Sequence, residues 1–521
     1  MTHDVAINFS ISGSSLSGTC HTLLSMISVI PATAPFLVAL ALGYVIITMM
    51  SKRVPPYPPQ VPGIFPWIGS IIAFSLTRAK FLERCRMRYG SVFKLVLGGR
   101  RVTIVASPEI IHNVLISDPS SLATRTRSFE LFRVVGGNPS FSQQMHDITI
   151  EQLFPMLDKA FSKRSLSGIT TGFTMIVLER MNRFDASHQV SLRRTLTEPL
   201  YFATTAMLLG SRFPHDTYND FLLFYKSLPS RFSRWPFWSL PSSRARGRLL
   251  QEITKYIEGT NAARGNSNNK LVENFIQVFR EFNLPITGSA PMILAFQLGL
   301  HMNTFNVIFW LMTWLLADPL ALSSLRIEID KAVREEFGGI REFAARATPE
   351  NLDSPSFTLL HSVIMETLRL CSVLMGPRDV ERDFDLKDGD RTIPVRKGEI
   401  VIAYMQSIHR NENTYPSGQM FVADRFIGNK GQGIPINTSY IPLGSGKHLC
   451  KGRALAIYEM KVLVITYLSL FDVTPVPQGY RSLKWEPPQS SAQCIGTIHT
   501  NTDVYVKLRP RLTSLLFDIP E

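Results

Sequence analysis

The sequence predicts a mainly α-helical protein with a minor β-sheet, preceded by one N-terminal transmembrane helix. Hydrophobic residues make up 45% of the 521 residues and charged residues only 18%, which excludes a disordered chain and favours one large buried core. No Gly/Ser linker, low-complexity run or internal repeat divides the chain. Beyond the N-terminal region the hydrophobic periodicity is mostly helical, with strand signals in a few short segments.

The apolar segment Leu23–Met50 contains no charged side chain, although Pro31 and Pro35 interrupt its first half. At about 1.5 Å per residue, its uninterrupted part with a few preceding residues approaches the ~30 Å thickness of a bilayer core. Because Lys52 and Arg53 follow at once, the positive-inside rule places all later residues in the cytosol. A cleaved secretory signal would carry its basic residues before the apolar run, so we predict a single-pass membrane anchor.

The segments on either side of the anchor have their own signals. Asn8, in the triplet Asn8-Phe9-Ser10, is an acceptor for N-glycosylation on the lumenal side. After the anchor, the prolines of Pro55–Pro59 and Pro62 indicate a stiff, polyproline-like hinge. We therefore expect a lumenal tail over 1–22, a transmembrane anchor over 23–50, a proline-rich hinge over 51–63 and a large folded domain over 64–521.

The large domain is expected to be helical apart from a few strands. A helix is predicted over Phe81–Tyr89. Strands are predicted over Val92–Leu97, Val102–Val105, Thr392–Ile402 and Val504–Leu508. The first two strands meet at a Gly-Gly pair, which is typical of a hairpin.

A second apolar segment, Met292–Leu316, also lacks charge and is long enough to cross a membrane. Its polar residues Gln297, His301 and Thr304 lie at i, i+4 and i+7, so they share one helix face, which a lipid-facing helix would not offer. We therefore predict a core helix that lines a polar pocket. Val462–Phe471 is too short to span a bilayer and is predicted to be a core helix too.

Charge and cysteine content restrict the partners of this domain. The net charge of +14 fits an anionic membrane surface or an acidic protein partner. A nucleic-acid partner is not expected, because the basic residues are dispersed rather than gathered into a tract or reading motif. The cysteines are odd in number and far apart, which excludes a disulfide framework and suits a cytosolic domain. They are Cys20, Cys85, Cys371, Cys450 and Cys494.

The most specific motif is the loop Leu443–Arg453, in which Cys450 precedes a helical pattern. Glycines at Gly444, Gly446 and Gly452 let the backbone fold closely around a flat ligand and turn into the helix. A thiolate at a helix start is stabilised by the helix dipole and by free backbone N–H groups. The same donors tune the charge of a sulfur bound to iron. An isolated cysteine is usually a small core hydrophobe, but three spaced glycines favour a ligand role here.

This loop resembles the haem-binding signature of the cytochrome P450 family, in which the cysteine is the axial iron ligand. The resemblance extends over nearly all of residues 55–510. Glu366 and Arg369 match the family's Glu-x-x-Arg element, and Arg425 matches the arginine of its Pro-Glu-Arg-Phe element, which would close a network with them. Arg378 and His448 resemble the residues that hold the haem propionates.

The chain also departs from the family pattern. Asn303, before Thr304, replaces the usual acid beside bound oxygen, and together with Phe309-Trp310 this is similar to the sterol hydroxylase and prostacyclin synthase branch. Leu443 replaces the usual aromatic residue of the cysteine loop. We find no Trp-x-x-x-Arg element between about residues 125 and 165, so the second propionate partner is unassigned.

The resemblance implies a monooxygenase that uses haem b, O2 and electrons from NADPH, delivered by a membrane-bound NADPH-cytochrome P450 reductase. Its catalytic domain would face the cytosol from the endoplasmic reticulum membrane. Lys447, Lys451 and Arg453 are candidates for the reductase contact, with ordinary surface charge as the alternative. A lipophilic substrate such as a sterol or terpenoid is implied by apolar residues at the family's substrate-contacting segments. These are Phe296, Leu300, Phe305, Val373, Leu374, Met375, Ile495 and Ile498.

Three residues are candidates for proton delivery to bound oxygen. Thr304 would hydrogen-bond there directly or through water, and Asn303 would orient a water molecule. His301 would feed this relay with a pKa near the working range. The alternative is that Thr304 only donates to the carbonyl oxygen four residues earlier and bends the helix.

Two other functions stay open from the sequence. A haem-thiolate isomerase or dehydratase would need neither O2 nor a reductase, and product formation without NADPH would establish it. A membrane-tethered lipid-binding protein would contain no haem, so haem-free purified protein would favour that function.

Overall fold

We describe the fold from a computed structural model. The described residues are 57–63, 69–111, 122–170, 172–185, 188–210, 212–232, 240–262, 270–373, 377–428, 439–446, 449–477, 486–490, 496–500 and 502–511. The tail, the anchor and residues 51–56 of the hinge therefore lie outside the described residues. So do several single residues named above: Asn8, Cys20, Leu374, Met375, Lys447, His448, Cys494 and Ile495.

The chain divides into two compact units, Met1–Tyr57 and Pro58–Glu521. The second unit includes residues that the sequence assigned to the hinge. Lys94 donates its backbone N–H to the carbonyl of Pro59, and Val61 donates to the carbonyl of Lys94, both at 2.9 Å. These residues thus extend the edge of the first sheet instead of acting as a free strut.

Helices make up most of the described chain. In chain order they are α1 Ile71–Tyr89, α2 Arg125–Val135, α3 Ser142–Asp147, α4 Phe154–Ala160, α5 Lys163–Ile169, α6 Phe173–Asn182, α7 Leu192–Leu209, α8 Tyr218–Lys226, α9 Leu228–Phe232, α10 Leu240–Ala262, α11 Lys270–Glu281, α12 Ile286–Ala317, α13 Pro319–Ala332, α14 Ile340–Arg346, α15 Pro349–Leu352, α16 Thr358–Cys371, α17 Met405–His409 and α18 Arg453–Leu470.

The strands form small sheets. They are β1 Val92–Leu97, β2 Arg100–Val105, β3 Leu122–Ala123, β4 Gln189–Ser191, β5 Arg378–Val380, β6 Phe384–Asp388, β7 Arg391–Val395, β8 Ile400–Ala403, β9 Phe471–Pro475 and β10 Tyr505–Pro510. Their orders are β1-β2-β8-β5-β3, β4-β10-β9 and β6-β7. The predicted hairpin is confirmed, since β1 and β2 are antiparallel with Val92 opposite Val105. Strand β8 then joins β2 in parallel, with Ile400 opposite Val102.

Helix α12 is the long apolar helix predicted at Met292–Leu316. By length and composition it is the one described helix that could cross a membrane, but 72% of its most apolar window is buried inside the protein. It packs against α2, α7, α10, α16 and α18, and it is apolar on most sides because neighbours surround it. The prediction of a core helix is therefore confirmed.

Helix α18, which follows the cysteine loop, is also a core helix, and it contains a buried acid. Glu459 accepts a hydrogen bond from the Thr204 hydroxyl at 2.6 Å, and no cation pairs with it among the described residues. Burial raises the pKa of the Glu459 carboxyl to about 8, so it is mostly protonated at neutral pH.

Candidate active site

The cysteine loop is folded by two glycines in left-handed backbone conformations. Gly444 has φ +81° and Gly446 has φ +61°, which a residue with a Cβ adopts only with strain. Across this turn, the backbone N–H of Cys450 donates to the carbonyl of Leu443 at 2.9 Å. Gly452 is then the N-cap of α18, so Cys450 lies immediately before the N-terminus of a buried helix.

The Cys450 side chain is accessible to a solvent molecule, although many protein atoms lie around it. Both observations hold for a side chain that faces an internal cavity. Burial raises its pKa, and this effect is opposed by the Gly452 N–H and by the charges of Arg127 and Arg453. In contrast, Cys85 and Cys371 are buried in the core. Cys450 is thus the free thiol that the described fold leaves open to a ligand.

Arg127 lies near this thiol, and Arg378 lies near Arg127. Burial lowers the pKa of Arg127, at the start of α2, and the charge of Cys450 opposes that shift. Burial also lowers the pKa of Arg378, in β5, to about 10, and the nearby charge of Arg127 adds to that shift. Arg127 has no hydrogen bond or ion pair with any described residue. Arg378 is buried, whereas Arg127 is solvent-accessible although protein atoms crowd around it. An anion stabilises two guanidinium groups that repel each other, and the carboxylates of a haem would provide one.

Arg127 is a site residue that the sequence analysis missed. Position 123, four residues before it, is alanine, so the tryptophan of the Trp-x-x-x-Arg element is absent and only the arginine could have indicated the site. His448, the other predicted propionate partner, lies outside the described residues, whereas Arg378 is in place.

Glu366, Arg369 and Arg425 form a buried ionic network. Glu366 accepts hydrogen bonds from Nε and Nη2 of Arg369 at 2.7 Å and from Nε of Arg425 at 3.0 Å. The backbone N–H of Val422 adds a fourth donor at 3.0 Å. Arg369 also donates to the carbonyl of Gly418 at 2.8 Å. One fully buried carboxylate therefore joins α16 to the segment after α17.

The same helix holds the approach to the cysteine loop. The Tyr440 hydroxyl donates to the carbonyl of Met365 at 2.9 Å, and the Ser372 hydroxyl donates to the carbonyl of Pro442 at 3.2 Å. His409 accepts the backbone N–H of Ile441 at Nε2, at 3.1 Å, while its carbonyl accepts from Arg369. The segment 440–442, which leads into the cysteine loop, is thus held next to the ionic network.

One face of α12 is accessible although the helix crosses the core. Gly299 and Asn303 are exposed, and Phe296 and Leu300 are half-buried. These residues lie at i, i+3, i+4 and i+7, so they share a face. A Cβ built on Gly299 would meet no atom within 4 Å. Other helices pack against α12, and the predicted pocket residues Phe296 and Leu300 lie on its accessible face.

Two of the three residues of the polar stripe predicted to line the pocket do not lie on this face. Gln297 and His301 are fully buried, and the imidazole of His301 lies between Tyr201 and Phe305 with ring centroids 5.0 and 5.1 Å away. Burial lowers the pKa of His301 to about 3, so the expectation of a titrating histidine near neutral pH is wrong. Phe305, one turn later, is fully buried in the same aromatic cluster and does not line the accessible face.

Thr304 lies at the edge of the accessible face and is 6% exposed. Its hydroxyl donates to the carbonyl of Leu300 at 3.1 Å, which is the local bond weighed above as the alternative. The hydroxyl oxygen keeps lone pairs for a further donor. A bond to Leu300 and a role towards a bound ligand are therefore compatible.

The other two predicted pocket segments meet each other at Val373 and residues 496–498. Val373 donates its backbone N–H to the carbonyl of Gly496, and Ile498 donates to the carbonyl of Cys371, both at 2.8 Å. Val373 and Ile498 are themselves buried.

Two basic residues that follow Cys450 in the sequence have partners within the protein. Lys451 pairs with Asp158 at 2.5 Å, and Arg453 donates to the carbonyl of Cys450 at 3.1 Å.

Comparisons with known proteins agree with this arrangement. The family model described as Cytochrome P450 matches residues 58–494. The Mus musculus protein "Cytochrome P450 7B1" is 26% identical over 475 residues, which cover 84% of this chain and 89% of that protein. The Homo sapiens "7-alpha-hydroxycholest-4-en-3-one 12-alpha-hydroxylase" is 26% identical, over 86% of this chain and 93% of that protein.

More distant relatives and a solved structure extend the comparison. The Bos taurus prostacyclin synthase is 22% identical, over 81% of this chain and 88% of that protein. The structure of cyanobacterial CYP120A1 with bound retinoic acid superposes with a TM-score of 0.68 at 20% identity, covering 88% of this chain and all of that chain. This structural likeness shows a shared fold.

Proposed function

The chain belongs to the cytochrome P450 family, and we propose that it is a monooxygenase that oxidises a lipophilic substrate of the sterol or terpenoid class. The observation that supports this most strongly is the accessible Cys450 thiol, with Arg127 near it and Arg378 next to Arg127. A bound haem supplies O2 activation and oxygen insertion, and thiolate donation favours O–O cleavage. Cys450 would bind its iron, and the two arginines would bind its carboxylates.

Each part of the site then has a task. The Gly452 N–H restrains the charge of the Cys450 sulfur. On the opposite side, Phe296 and Leu300 would contact apolar substrate and exclude water, while Thr304 and Asn303 would offer the polar atoms beside the reacting oxygen. His301 would not exchange protons in this relay, because burial keeps it neutral.

The proposed substrate class can be tested directly. Purified haem-loaded protein would be titrated with a panel of sterols and terpenoids, and binding would be followed by the absorption change of the haem. We expect saturable changes with members of these classes. A panel that produces no change, against a positive response to imidazole, would contradict the proposed substrate class.

Arg127→Ala is expected to weaken haem retention by roughly tenfold or more, because it removes a charge-assisted hydrogen-bond partner of a carboxylate. The rate of haem transfer from the purified protein to apomyoglobin would measure this. Arg125→Ala is the matched control, since Arg125 is half-exposed and forms only a 3.5 Å surface ion pair with Glu381. Equal transfer rates for the two variants would refute the assignment of Arg127.

Thr304→Ala separates an oxygen-activating enzyme from an isomerase. The variant is expected to keep haem and substrate binding, to lose product, and to divert NADPH consumption to peroxide, because proton delivery to oxygen needs the hydroxyl or the water it holds. The ratio of product to NADPH consumed would be measured with a reductase present. An unchanged ratio would refute the role of Thr304 in proton delivery. Full turnover without NADPH would establish the isomerase function, which the similarity to prostacyclin synthase makes the second candidate.

The electron donor and location belong to the same proposal. NADPH-cytochrome P450 reductase is the proposed donor, and residues 23–50 are proposed to anchor the enzyme in the endoplasmic reticulum with Asn8 in the lumen. Lys451 already pairs with Asp158, so its contact with a reductase would have to compete with that ion pair.

The proposed membrane topology can be tested by protease treatment of microsomes, in which the C-terminus should be digested by the added protease. Protection of the C-terminus would contradict this topology.

A further inference from the structure

Four side chains form a continuous hydrogen-bond chain that ends at the accessible face of α12. The Tyr225 hydroxyl, on α8, lies 2.7 Å from Oδ1 of Asn306. Nδ2 of Asn306 lies 3.2 Å from the hydroxyl oxygen of Thr497, and that oxygen lies 3.2 Å from Oδ1 of Asn303. The chain joins α8, one turn of α12 and the segment 496–500.

The donors and acceptors along this chain follow one direction. Burial raises the pKa of Tyr225 to about 12, so its hydroxyl stays protonated and donates to Asn306. Nδ2 of Asn306 is also 3.3 Å from the carbonyl of Met302, which can only accept, so the amide nitrogen must lie on that side. Thr497 therefore accepts from Asn306, and its own proton goes to Asn303.

The end of the chain fixes the orientation of the Asn303 amide. Oδ1 of Asn303 is occupied by the Thr497 hydroxyl, while Nδ2 has no hydrogen-bond partner in the described part of the chain. Asn303 itself is exposed on the face that carries Leu300 and Gly299. Its N–H groups are thus directed away from the chain, and they are donors that no described side chain uses.

The backbone around Thr497 is shaped for this contact. Gly496 has φ +74°, and a Cβ built there would lie 3.3 Å from Oδ1 of Asn303. Thr497 pairs with Ser372 in a β-bridge, and the neighbouring backbone bonds of Val373 and Ile498 fix the segment on both sides. The threonine hydroxyl is therefore held at a set distance from α12.

We propose that Tyr225, Asn306 and Thr497 are positioning residues that hold the Asn303 amide with its N–H donors towards the substrate. They thereby select lipophilic substrates that carry a hydrogen-bond-accepting oxygen, such as a ketone, close to the reacting end. This inference rests on the proposed function, because it assumes that the accessible face of α12 borders the substrate. A carboxylate at position 303 would instead repel a carbonyl oxygen, so asparagine gives this site its donor character.

Binding of two matched steroids tests the proposal. Cholestenone carries a ketone, and cholestene has the same skeleton without it. One net hydrogen bond corresponds to a roughly fivefold preference for the ketone in the wild-type protein, measured by absorption titration of the haem-loaded full chain. Thr497→Val should lose this preference, whereas Thr497→Ser, which keeps the hydroxyl, should retain it. Thr500→Val, a buried threonine outside the hydrogen-bond chain, is the control for general disturbance of the segment.

Equal affinities of the wild-type protein for the two steroids, or a preference that survives Thr497→Val, would overturn the proposal. A preference lost in Thr500→Val as well would also overturn it, since the effect would then come from the segment and not from the chain. If the wild-type protein binds neither steroid nor any other lipophile, the proposed function itself is overturned, and the inference that rests on it falls with it.

A second measurement tests the hydrogen-bond chain without any substrate. Tyr225→Phe and Thr497→Val are compared with the double variant by thermal unfolding of the haem-loaded protein. Because each bond in a continuous chain polarises the next, the double variant should lose less in Tm than the sum of the single variants. Additive losses would show that the contacts are independent. They would overturn the proposal that Tyr225, Asn306 and Thr497 act as one hydrogen-bond chain, even if the substrate class is right.

Discussion

Cys450→Ser is expected to abolish thiolate ligation of the haem iron, and with it oxygenase activity. A serine hydroxyl stays protonated at neutral pH and is a poor donor to iron, whereas the thiolate is stabilised by the Gly452 N–H and nearby cations. The absorption spectrum of the reduced CO adduct would report the change. A thiolate-type spectrum in the serine variant would mean that another residue is the ligand.

The buried cysteines give the control for this experiment. Cys371 is fully buried at the end of α16, and burial raises the pKa of its thiol. Cys371→Ala should therefore leave the spectrum of the CO adduct unchanged and cost only the stability lost with a small cavity. Loss of the thiolate spectrum in both variants would indicate a general failure to bind haem, and would remove the special role of Cys450.

Local patterns explain what the sequence could predict. The cysteine loop depends on glycines within a few residues of Cys450, and Glu366 and Arg369 lie one turn apart, so both were visible without knowledge of the fold. The hairpin of β1 and β2 and the core character of α12 likewise follow from contiguous residues. Each of these features is decided by neighbours in the chain.

Features decided by distant neighbours were not visible. The burial of His301 depends on Tyr201 in α7 and Phe221 in α8. Its position on a polar stripe therefore predicted wrongly that the imidazole points into the pocket and that its pKa lies near neutral pH. The role of Arg127 emerges only when α2 and β5 place it next to Arg378. The partners of Asn303 lie almost 200 positions away, at Thr497, in a segment without a motif.

Glu366→Gln is expected to cause the largest loss of stability of any single substitution considered. The carboxylate is fully buried and accepts from both Arg369 and Arg425, so a neutral amide would leave two buried guanidinium groups without a counter-charge. Removing one partner of such a pair costs about 3–5 kcal/mol. Denaturant unfolding and the yield of haem-loaded protein would measure the loss, and failure to recover folded protein would agree with it.

Glu459→Gln is the matched control, because Glu459 is equally buried but has no cation partner among the described residues. Its folded-state pKa, raised to about 8, means that the acid contributes most stability below its ordinary pKa of 4.5. That contribution is lost as pH rises towards about 8, where folding must increasingly accommodate a buried charge. Glu459→Gln removes this ionisation, so its stability relative to wild type should improve as pH rises from about 4.5 to about 8, the interval between the ordinary and the raised pKa, and should change little above it. Glu366→Gln should be strongly destabilised throughout that range, since its deficit comes from arginines that stay charged. Similar losses in both variants at neutral pH would mean that burial of a carboxyl, and not the network with Arg369 and Arg425, sets the cost.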